Sequence, residues 1–147
     1  MILLDTNIIS ELWRIAPSAS VLTWIDAQAV ETLYLSAITV AELHFGLATM
    51  PTGKRRTIYQ DRLEQEVLPT FAGRVLPFNL DASQAYAGLM ARAQAAGKAI
   101  SQADGYIAAS ALAHGFSVAT RDVSPFKAAG LNVINPWLKN TTAMEDA

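Results

Sequence analysis

Four acidic residues, spread along most of the chain, have the types and surroundings of a site that binds a divalent cation. They stand at the ends of short apolar runs or near the starts of helical patterns, and are Asp5, Glu42, Asp104 and Asp122. If the fold gathers them in one cleft, two carboxylates about 4 Å apart repel by roughly 4 kcal/mol at an effective dielectric of about 20. Either some of them keep a proton through raised pKa values, or a cation lies among them. Oxygen ligands alone favour Mg²⁺ or Mn²⁺ over zinc.

Other residue types that bind metals or act as nucleophiles are scarce. The chain has no cysteine, which excludes disulfides and thiolate sites. Its two histidines, His44 and His114, lie in helical patterns and match no zinc-binding spacing. The carboxylates are therefore the groups to which we assign chemistry.

Composition limits the class of protein. The 147 residues are 52% hydrophobic and 16% charged, which suits one globular domain with a substantial core. The net charge of −2 does not favour a protein that coats nucleic acid, and the basic cluster from Lys54 to Arg56 is typical of a solvated helix start. We find no signal-peptide pattern and no apolar run of about 20 residues, so we expect a cytoplasmic protein without a membrane partner.

Short apolar runs alternate with helical patterns along the chain, which predicts an α/β fold with a parallel sheet flanked by helices. The predicted strands are residues 2–4, 33–35, 74–78, 116–120 and 131–134. The predicted helices are residues 6–16, 18–29, 40–48, 55–68, 81–97 and 101–114. We expect Pro69 to end the fourth helix and Asp81 to cap the fifth. One domain over residues 1–137 and a flexible tail over residues 138–147 complete the prediction.

The four acids fall at positions that one edge of such a sheet can bring together. Asp5 ends the first strand, and Asp122 comes two residues after the fourth. Ligands of open parallel sheets bind outside the carboxyl ends of the strands, so these two acids can share one crevice. We place Glu42 and Asp104 in the first turns of their helices, at the same rim.

Helix capping is the structural alternative for three of these acids. Thr39 to Glu42 and Ser101 to Asp104 both have the form of a capping box, in which an acid closes the start of a helix. Asp5 can cap the helix that follows it. The functional prediction therefore depends on the four acids together and not on any one of them.

Four segments that carry these acids resemble the signature segments of PIN domains, in order and at the right intervals. They read LLDTN at 3–7, SAITVAEL at 36–43, ADGYIAA at 103–109 and ATRD at 119–122. The similarity is greatest to VapC-type toxins of type II toxin–antitoxin systems, in the FitB-like branch, and extends from Met1 to about Trp137. It implies a three-layer α/β/α fold with a mostly parallel sheet, a metal-dependent endoribonuclease and a homodimer.

The resemblance also assigns roles to residues and implies partners. Asp5, Glu42, Asp104 and Asp122 would be the catalytic and metal-binding acids, with Mg²⁺ or Mn²⁺ as the ion. The polar residues expected to orient them are Thr6, Asn7 and Thr120. A small VapB- or FitA-like antitoxin would inhibit the site, and operator DNA would be reached only through that antitoxin.

The mechanism that we expect is metal-assisted hydrolysis of an RNA phosphodiester. Asp5, Asp104 and Asp122 would hold the ion directly or through water, and Glu42 would bind it through water or orient the attacking water. No further acid follows Asp122 until Glu145, which does not favour a complete second metal site.

Other functions fit the sequence less well. A phosphatase with an aspartyl nucleophile usually needs a second acid two residues on, where this chain has Asn7. A P-loop would need an upstream glycine and a Ser or Thr that the segment at Gly53 lacks. The remaining alternative is a PIN scaffold that mainly binds the antitoxin, and we expect that partner on the first two helices and the 55–68 helix. Several apolar residues there are more typical of core than of interface, namely Trp13, Val21, Leu22, Trp24 and Ile25.

Overall fold

The computed structural model of the protein describes residues 1–138 and contains a sheet of five short parallel strands. The strands are β1 Ile2–Leu4, β2 Leu33–Ser36, β3 Val75–Leu76, β4 Ser117–Ala119 and β5 Val133–Ile134. Their order in the sheet is β3-β2-β1-β4-β5, so that β1 occupies the centre. Leu3 pairs with Tyr34 on one side and with Val118 on the other.

Helices connect the strands. They are α1 Thr6–Leu12, α2 Ala19–Asp26, α3 Ala37–Thr49, α4 Lys54–Arg62, α5 Leu68–Thr70, α6 Leu80–Ala95, α7 Gln102–His114 and α8 Val123–Ala128. A 3₁₀ turn at Val30–Thr32 precedes β2, and a π-helical turn at Leu63–Val67 joins α4 to α5. In the part of the chain that the structure describes, no helix combines the length and the apolar character needed to cross a membrane.

The core consists of two apolar layers, one on each face of the sheet. Side chains alternate between the faces of a strand, and the fully buried neighbours Leu3 and Leu4 accordingly belong to different layers. Leu4 packs with residues of α1, α3 and the π-helical turn, whereas Leu3 packs with residues of α6, α7 and α8. The predicted three-layer α/β/α class is therefore confirmed.

Three details of the predicted helices are wrong. Pro69 does not end the fourth helix, because helical backbone continues through it to Thr70, directly after the π-helical turn at Leu63–Val67. Asp81 does not cap α6; Asn79 does, through its Oδ1 and the N–H of Ala82, 3.0 Å away. Helix α3 begins at Ala37 and not at Val40.

The last described residues bear on the predicted domain boundary. Main-chain structure continues to Leu138, whose N–H donates to the carbonyl of Asn135. The predicted tail, residues 138–147, lies outside the described residues except for Leu138. A single domain over residues 1–137 remains our expectation.

Candidate active site

The candidate site lies where the chain changes direction across the sheet. From β1 the chain builds β2 and β3 on one side, and it then returns to place β4 on the other side of β1. The N–H of Asp5 donates to the carbonyl of Ala119 over 2.9 Å, so the carboxyl ends of β1 and β4 lie side by side. Such a switch point is where open parallel sheets bind ligands.

Asp5 is the most enclosed of the four acids, with 5% of its surface exposed. It is the N-cap of α1, and its Oδ1 accepts the N–H of Thr6 at 2.8 Å. Its Oδ2 accepts the hydroxyl of Thr120 at 2.8 Å and the amide of Asn7 at 3.4 Å. Asp5 therefore caps α1, as the helix-capping alternative states. Its second oxygen, however, bonds to Thr120, which directly follows β4.

Burial raises the pKa of the Asp5 carboxyl to about 6. Hydrogen bonds from Thr120 and from the N–H of Thr6 lower this pKa, while the charges of Asp104 and Glu42 raise it further. The net increase means that desolvation and repulsion outweigh two good hydrogen bonds. A carboxylate in this position gains from a nearby cation.

Asp104 lies in the first turn of α7, as predicted. The hydroxyl of Ser101, the N-cap, accepts the N–H of Asp104 at 3.2 Å. Burial raises the pKa of Asp104, and the charge of Asp122 adds to the increase, although a hydrogen bond with Ser101 opposes it. Asp104 is thus coupled electrostatically to Asp122 as well as to Asp5.

A glycine lets the helix that carries Asp104 approach its neighbour. At Gly105 of α7, an added Cβ would stand 2.9 Å from Sδ of Met90 and 3.0 Å from Cε2 of Tyr86, both on α6. Real Cβ atoms are rarely found so close to other atoms. A side chain at this position would have to displace Met90 or Tyr86, so the glycine permits the close packing of α6 against α7 beside Asp104.

Glu42 lies in the second turn of α3 and not in the first. Ser36 ends β2 and also caps α3, since its hydroxyl accepts the N–H of Thr39 at 3.0 Å. The capping-box interpretation of Thr39 and Glu42 is therefore wrong. The Glu42 carboxylate instead accepts the hydroxyl of Thr6 at 2.7 Å, which ties α3 to the start of α1.

The three predicted supporting residues all contact an acid or its neighbour. Thr6 contacts Glu42, and both Thr120 and Asn7 contact Asp5. The amide of Asn7 also donates to the hydroxyl of Thr120 over 3.3 Å. The Thr120 hydroxyl also accepts the N–H of Asp122 at 3.0 Å. Asn7 accepts the N–H of Arg121 at 3.4 Å. The four acids thus interact through their charges. Three of them, Asp5, Glu42 and Asp122, also form hydrogen bonds with Thr6 or Thr120.

The arrangement of the carboxylates decides how an ion could be held. The atoms available as metal ligands are all carboxylate oxygens, which suits Mg²⁺ or Mn²⁺. However, among residues 1–138 no three Asp, Glu or His side chains stand close enough together to ligate one ion. As the side chains stand, an ion would be bound in part through water, as Mg²⁺ commonly is.

Two fully buried polar residues beside the acids were missed by the sequence interpretation as parts of the site. Ser36 and Thr39 have 0% exposure, and their hydroxyls lie 3.3 Å apart. The hydroxyl of Thr39 lies a further 3.1 Å from that of Thr6. The spacing of Ser36, Thr39 and Glu42, each three residues apart on one helix, is the signal that could have found them.

Comparison with known proteins agrees with this architecture. The model of the PIN domain matches residues 2–131. The chain is 73% identical over 137 residues to VapC ribonuclease Y4jK of Sinorhizobium fredii, an alignment that covers 93% of this chain and 98% of that protein. It is 51% identical over 137 residues to Toxin FitB of Neisseria gonorrhoeae, covering 93% and 99%.

A solved structure resembles the fold closely. It is described as FitAB bound to an IR36 DNA fragment, and it is 48% identical, with a TM-score of 0.92 over 95% of this chain and 98% of the other. Both the sequence match and the fold thus extend over nearly all of the described residues. The chain therefore belongs to the PIN-domain family, in the branch that contains VapC- and FitB-type proteins.

Proposed function

We propose that the protein is the toxin of a type II toxin–antitoxin module and that it hydrolyses RNA phosphodiester bonds with Mg²⁺ or Mn²⁺. The observation that carries the proposal is the buried Asp5, with a pKa raised to about 6 beside three further coupled acids at the switch point of the sheet. Strongly perturbed carboxylates in such a crevice are typical of functional sites. The high identity to a protein named a VapC ribonuclease supports the same assignment.

The proposed ligands are Asp5, Asp104 and Asp122, directly or through water, with Glu42 in the outer shell. When bound, the ion would supply Lewis acidity, which lowers the pKa of a water molecule and offsets negative charge on the phosphorane. Asp5 suits the innermost position because its side chain is fixed by Thr120 and by the N–H of Thr6.

We assign to Glu42 the role of orienting the attacking water. One carboxylate oxygen, Oε1, accepts the hydroxyl of Thr6, and its side chain is exposed at the rim of the site. This bond restricts rotation of the carboxylate and therefore limits the directions in which the other oxygen, Oε2, can point. In-line attack by water would leave a 5′-phosphate and a 3′-hydroxyl.

Cleavage of RNA pools by the purified chain tests this function. With Mn²⁺ or Mg²⁺ we expect products with 5′-phosphate ends, no cleavage in EDTA, and a loss of at least about 100-fold in Asp104→Asn, because changing even the partners of metal ligands costs about 10- to 100-fold. Asp26→Asn is the matched control, because Asp26 is exposed at the end of α2, the helix before β2. Ends with a 2′,3′-cyclic phosphate would contradict the mechanism, since that product requires the 2′-hydroxyl of the RNA as nucleophile.

Titration of Mn²⁺ provides a measurement that does not depend on finding the right RNA. We expect wild type and Asp26→Asn to bind the ion alike, and both Asp5→Ala and Asp104→Ala to bind it more weakly. If no variant differs from wild type, the acids do not form one site.

The proposed partner is a small antitoxin that inhibits the site and connects the protein to operator DNA. A groove of about 450 Å³ between α1, α2 and the π-helical turn supports a docking place for an apolar segment of it. Its lining includes Leu12, Trp13, Ile25, Val30, Arg62 and Phe71. The resemblance to a structure described as FitAB bound to a DNA fragment supports a partner of this kind. We also propose that the chain forms a homodimer.

The groove also supports the second candidate function, a PIN scaffold that mainly binds its partner. Val30 is 49% exposed in the groove, whereas Ile58, 43% exposed on α4, does not line it. We expect Val30→Asp to weaken co-purification with the small protein encoded beside this one, and Ile58→Asp to leave it unchanged. A stable complex together with no RNA cleavage under any metal condition would favour the scaffold over the ribonuclease.

A further inference from the structure

A row of hydroxyl groups leads from the buried start of α3 to the exposed carboxylate of Glu42. The oxygen atoms of Ser36 and Thr39 are 3.3 Å apart, those of Thr39 and Thr6 are 3.1 Å apart, and Thr6 is 2.7 Å from Oε1 of Glu42. We infer that Thr39 is a positioning residue of the site, which fixes the Thr6 hydroxyl and through it the orientation of Glu42. This inference rests on the proposed ribonuclease function.

Counting protons gives the direction of the row. A hydroxyl has one proton to donate, and the short contact of Thr6 with a carboxylate, which can only accept when ionised, takes that proton. The proton between Thr39 and Thr6 must then come from Thr39, and the one between Ser36 and Thr39 from Ser36. Ser36 in turn accepts the N–H of Thr39 at 3.0 Å. Each of the three hydroxyls thus donates one bond and accepts one, and all point toward Glu42.

Burial explains why this row can hold a side chain at the surface. Ser36 and Thr39 are fully buried, so their hydroxyls meet no competing water, and hydrogen bonds in such a row polarise one another. Glu42 is exposed and by itself would sample several rotamers. A Thr6 hydroxyl free to rotate would point at the carboxylate only part of the time. The hydroxyl of Thr39 removes that freedom by occupying the acceptor side of Thr6.

Neither the helix cap nor the shape of the core requires a hydroxyl on Thr39, although that hydroxyl also accepts the buried hydroxyl of Ser36. The helix start needs an acceptor for the N–H of Thr39, and Ser36 already provides it. Packing in the core requires the size of the side chain, which valine would also provide. The hydroxyl contributes in addition the contact with Thr6, 33 positions away in sequence.

The substitutions Thr39→Val and Thr39→Ser separate shape from hydrogen bonding. In the Mn²⁺-loaded protein we expect Thr39→Val to lower kcat for RNA cleavage about tenfold, the range found for partners of metal-site ligands, with KM within about twofold of wild type. Thr39→Ser should restore the rate to within about twofold. In a Glu42→Gln background Thr39→Val should cause no further loss, because the residue acts through Glu42.

A spectroscopic measurement keeps the inference testable apart from catalysis. The ¹³C resonance of the Glu42 carboxyl should shift in Thr39→Val and stay at its wild-type position in Thr39→Ser. If Thr39→Val does not fold, Thr39→Ala removes the same hydroxyl and should shift that resonance. Wild-type protein that cleaves no RNA would overturn the proposed function, whereas a Glu42 resonance unchanged in a folded variant without the Thr39 hydroxyl would overturn the role of Thr39. Equal losses of kcat in Thr39→Val and Thr39→Ser would also overturn it.

Discussion

The hydroxyl of Thr120 donates a 2.8 Å hydrogen bond to Oδ2 of Asp5, which joins the ends of β1 and β4 through side chains as well as backbone. The same oxygen of Thr120 accepts the N–H of Asp122 at 3.0 Å. One small side chain thereby fixes the position of Asp122 relative to Asp5. The predictions that follow begin from this contact.

Replacing Thr120 with valine should raise the pKa of Asp5 and destabilise the protein, because Asp5 loses a hydrogen bond. The bond from Thr120 lowers the pKa of Asp5, so its loss should raise that pKa further above about 6. Loss of the partner of a buried acceptor should lower the free energy of unfolding by about 1–3 kcal/mol. Urea denaturation and ¹³C titration of the Asp5 carboxyl measure the two effects. Thr120→Ser keeps the donor and should resemble wild type, and an unchanged pKa in Thr120→Val would contradict the prediction.

Asp5 should make the protein less stable as the pH rises from about 4 to about 6. Its carboxyl has a pKa of about 6 in the folded protein against an ordinary value of 3.8, so the folded state retains the proton over this interval while the unfolded state loses it. An increase of about two pKa units corresponds to on the order of 3 kcal/mol of lost stability above the interval. Denaturation in EDTA across this pH range measures the slope.

Asp5→Asn is the control for that slope. The uncharged amide should remove the contribution of residue 5, so the difference in stability between variant and wild type should grow from pH 4 to pH 6 and then level off. Added Mn²⁺ at pH 7 should stabilise wild type and leave the variant nearly unchanged. A difference that is constant with pH would show that the Asp5 carboxyl titrates normally.

Two glycines in helices of equal length should respond oppositely to alanine. At Gly46 of α3, an exposed position, a Cβ would meet no atom within 4 Å, so alanine should gain up to about 1 kcal/mol from helix propensity. At Gly105 the same Cβ would press on Met90 and Tyr86, and overpacking costs about 1–3 kcal/mol. Thermal unfolding should therefore shift upward for Gly46→Ala and downward for Gly105→Ala. A rise in both would mean that α6 moves away from α7 without cost.

Glu11 should show the opposite pH dependence to Asp5. Although burial raises its pKa, hydrogen bonds from the indole of Trp137 and the N–H of Ser18, together with the charge of Arg14, lower the pKa overall. Stability from these contacts is present above the ordinary pKa of 4.5 and is lost as the pH falls through the lower folded value. Trp137→Phe removes the indole donor and should cost about 1.5–3 kcal/mol at pH 7.

The cost of Trp137→Phe should become smaller in acid, as Glu11 takes up a proton. Measuring the same change in a Glu11→Gln background separates the hydrogen bond from the loss of ring area. If Trp137→Phe costs the same in both backgrounds, the bond of 3.1 Å between Trp137 and Glu11 contributes nothing to stability.

The positions of Asp5 and Asp122 could be predicted from the sequence, because each follows an apolar run and the carboxyl ends of parallel strands share one edge. The environment of Glu42 could not. Ser36 both ends β2 and caps α3, so no loop residues mark the boundary, and the local pattern from Thr39 to Glu42 imitates a helix start three residues too late. Local patterns cannot distinguish these two helix starts. They also cannot reveal that Glu42 contacts Thr6, which lies on another helix.

The raised pKa of Asp5 can also be predicted from the sequence only in outline. Repulsion among clustered acids follows from their number, but the largest cause is burial, which depends on how α1 and β4 enclose the residue. The close approach of α6 to Gly105 likewise has no local signal, because a glycine inside a helix pattern equally suggests a weak helix. Long-range packing decides both features.

The central place of β1 in the sheet bears on when the proposed site can form during synthesis of the chain. Asp5 leaves the ribosome before Thr120, its partner, which follows 115 positions later, and β4 must pair with β1 before the two meet. A nascent chain or a prematurely terminated fragment that stops before β4 contains Asp5 and Glu42 without Thr120 and Asp122. Only chains that extend past Asp122 can assemble the four acids, so translation that stops before β4 yields products without the proposed site.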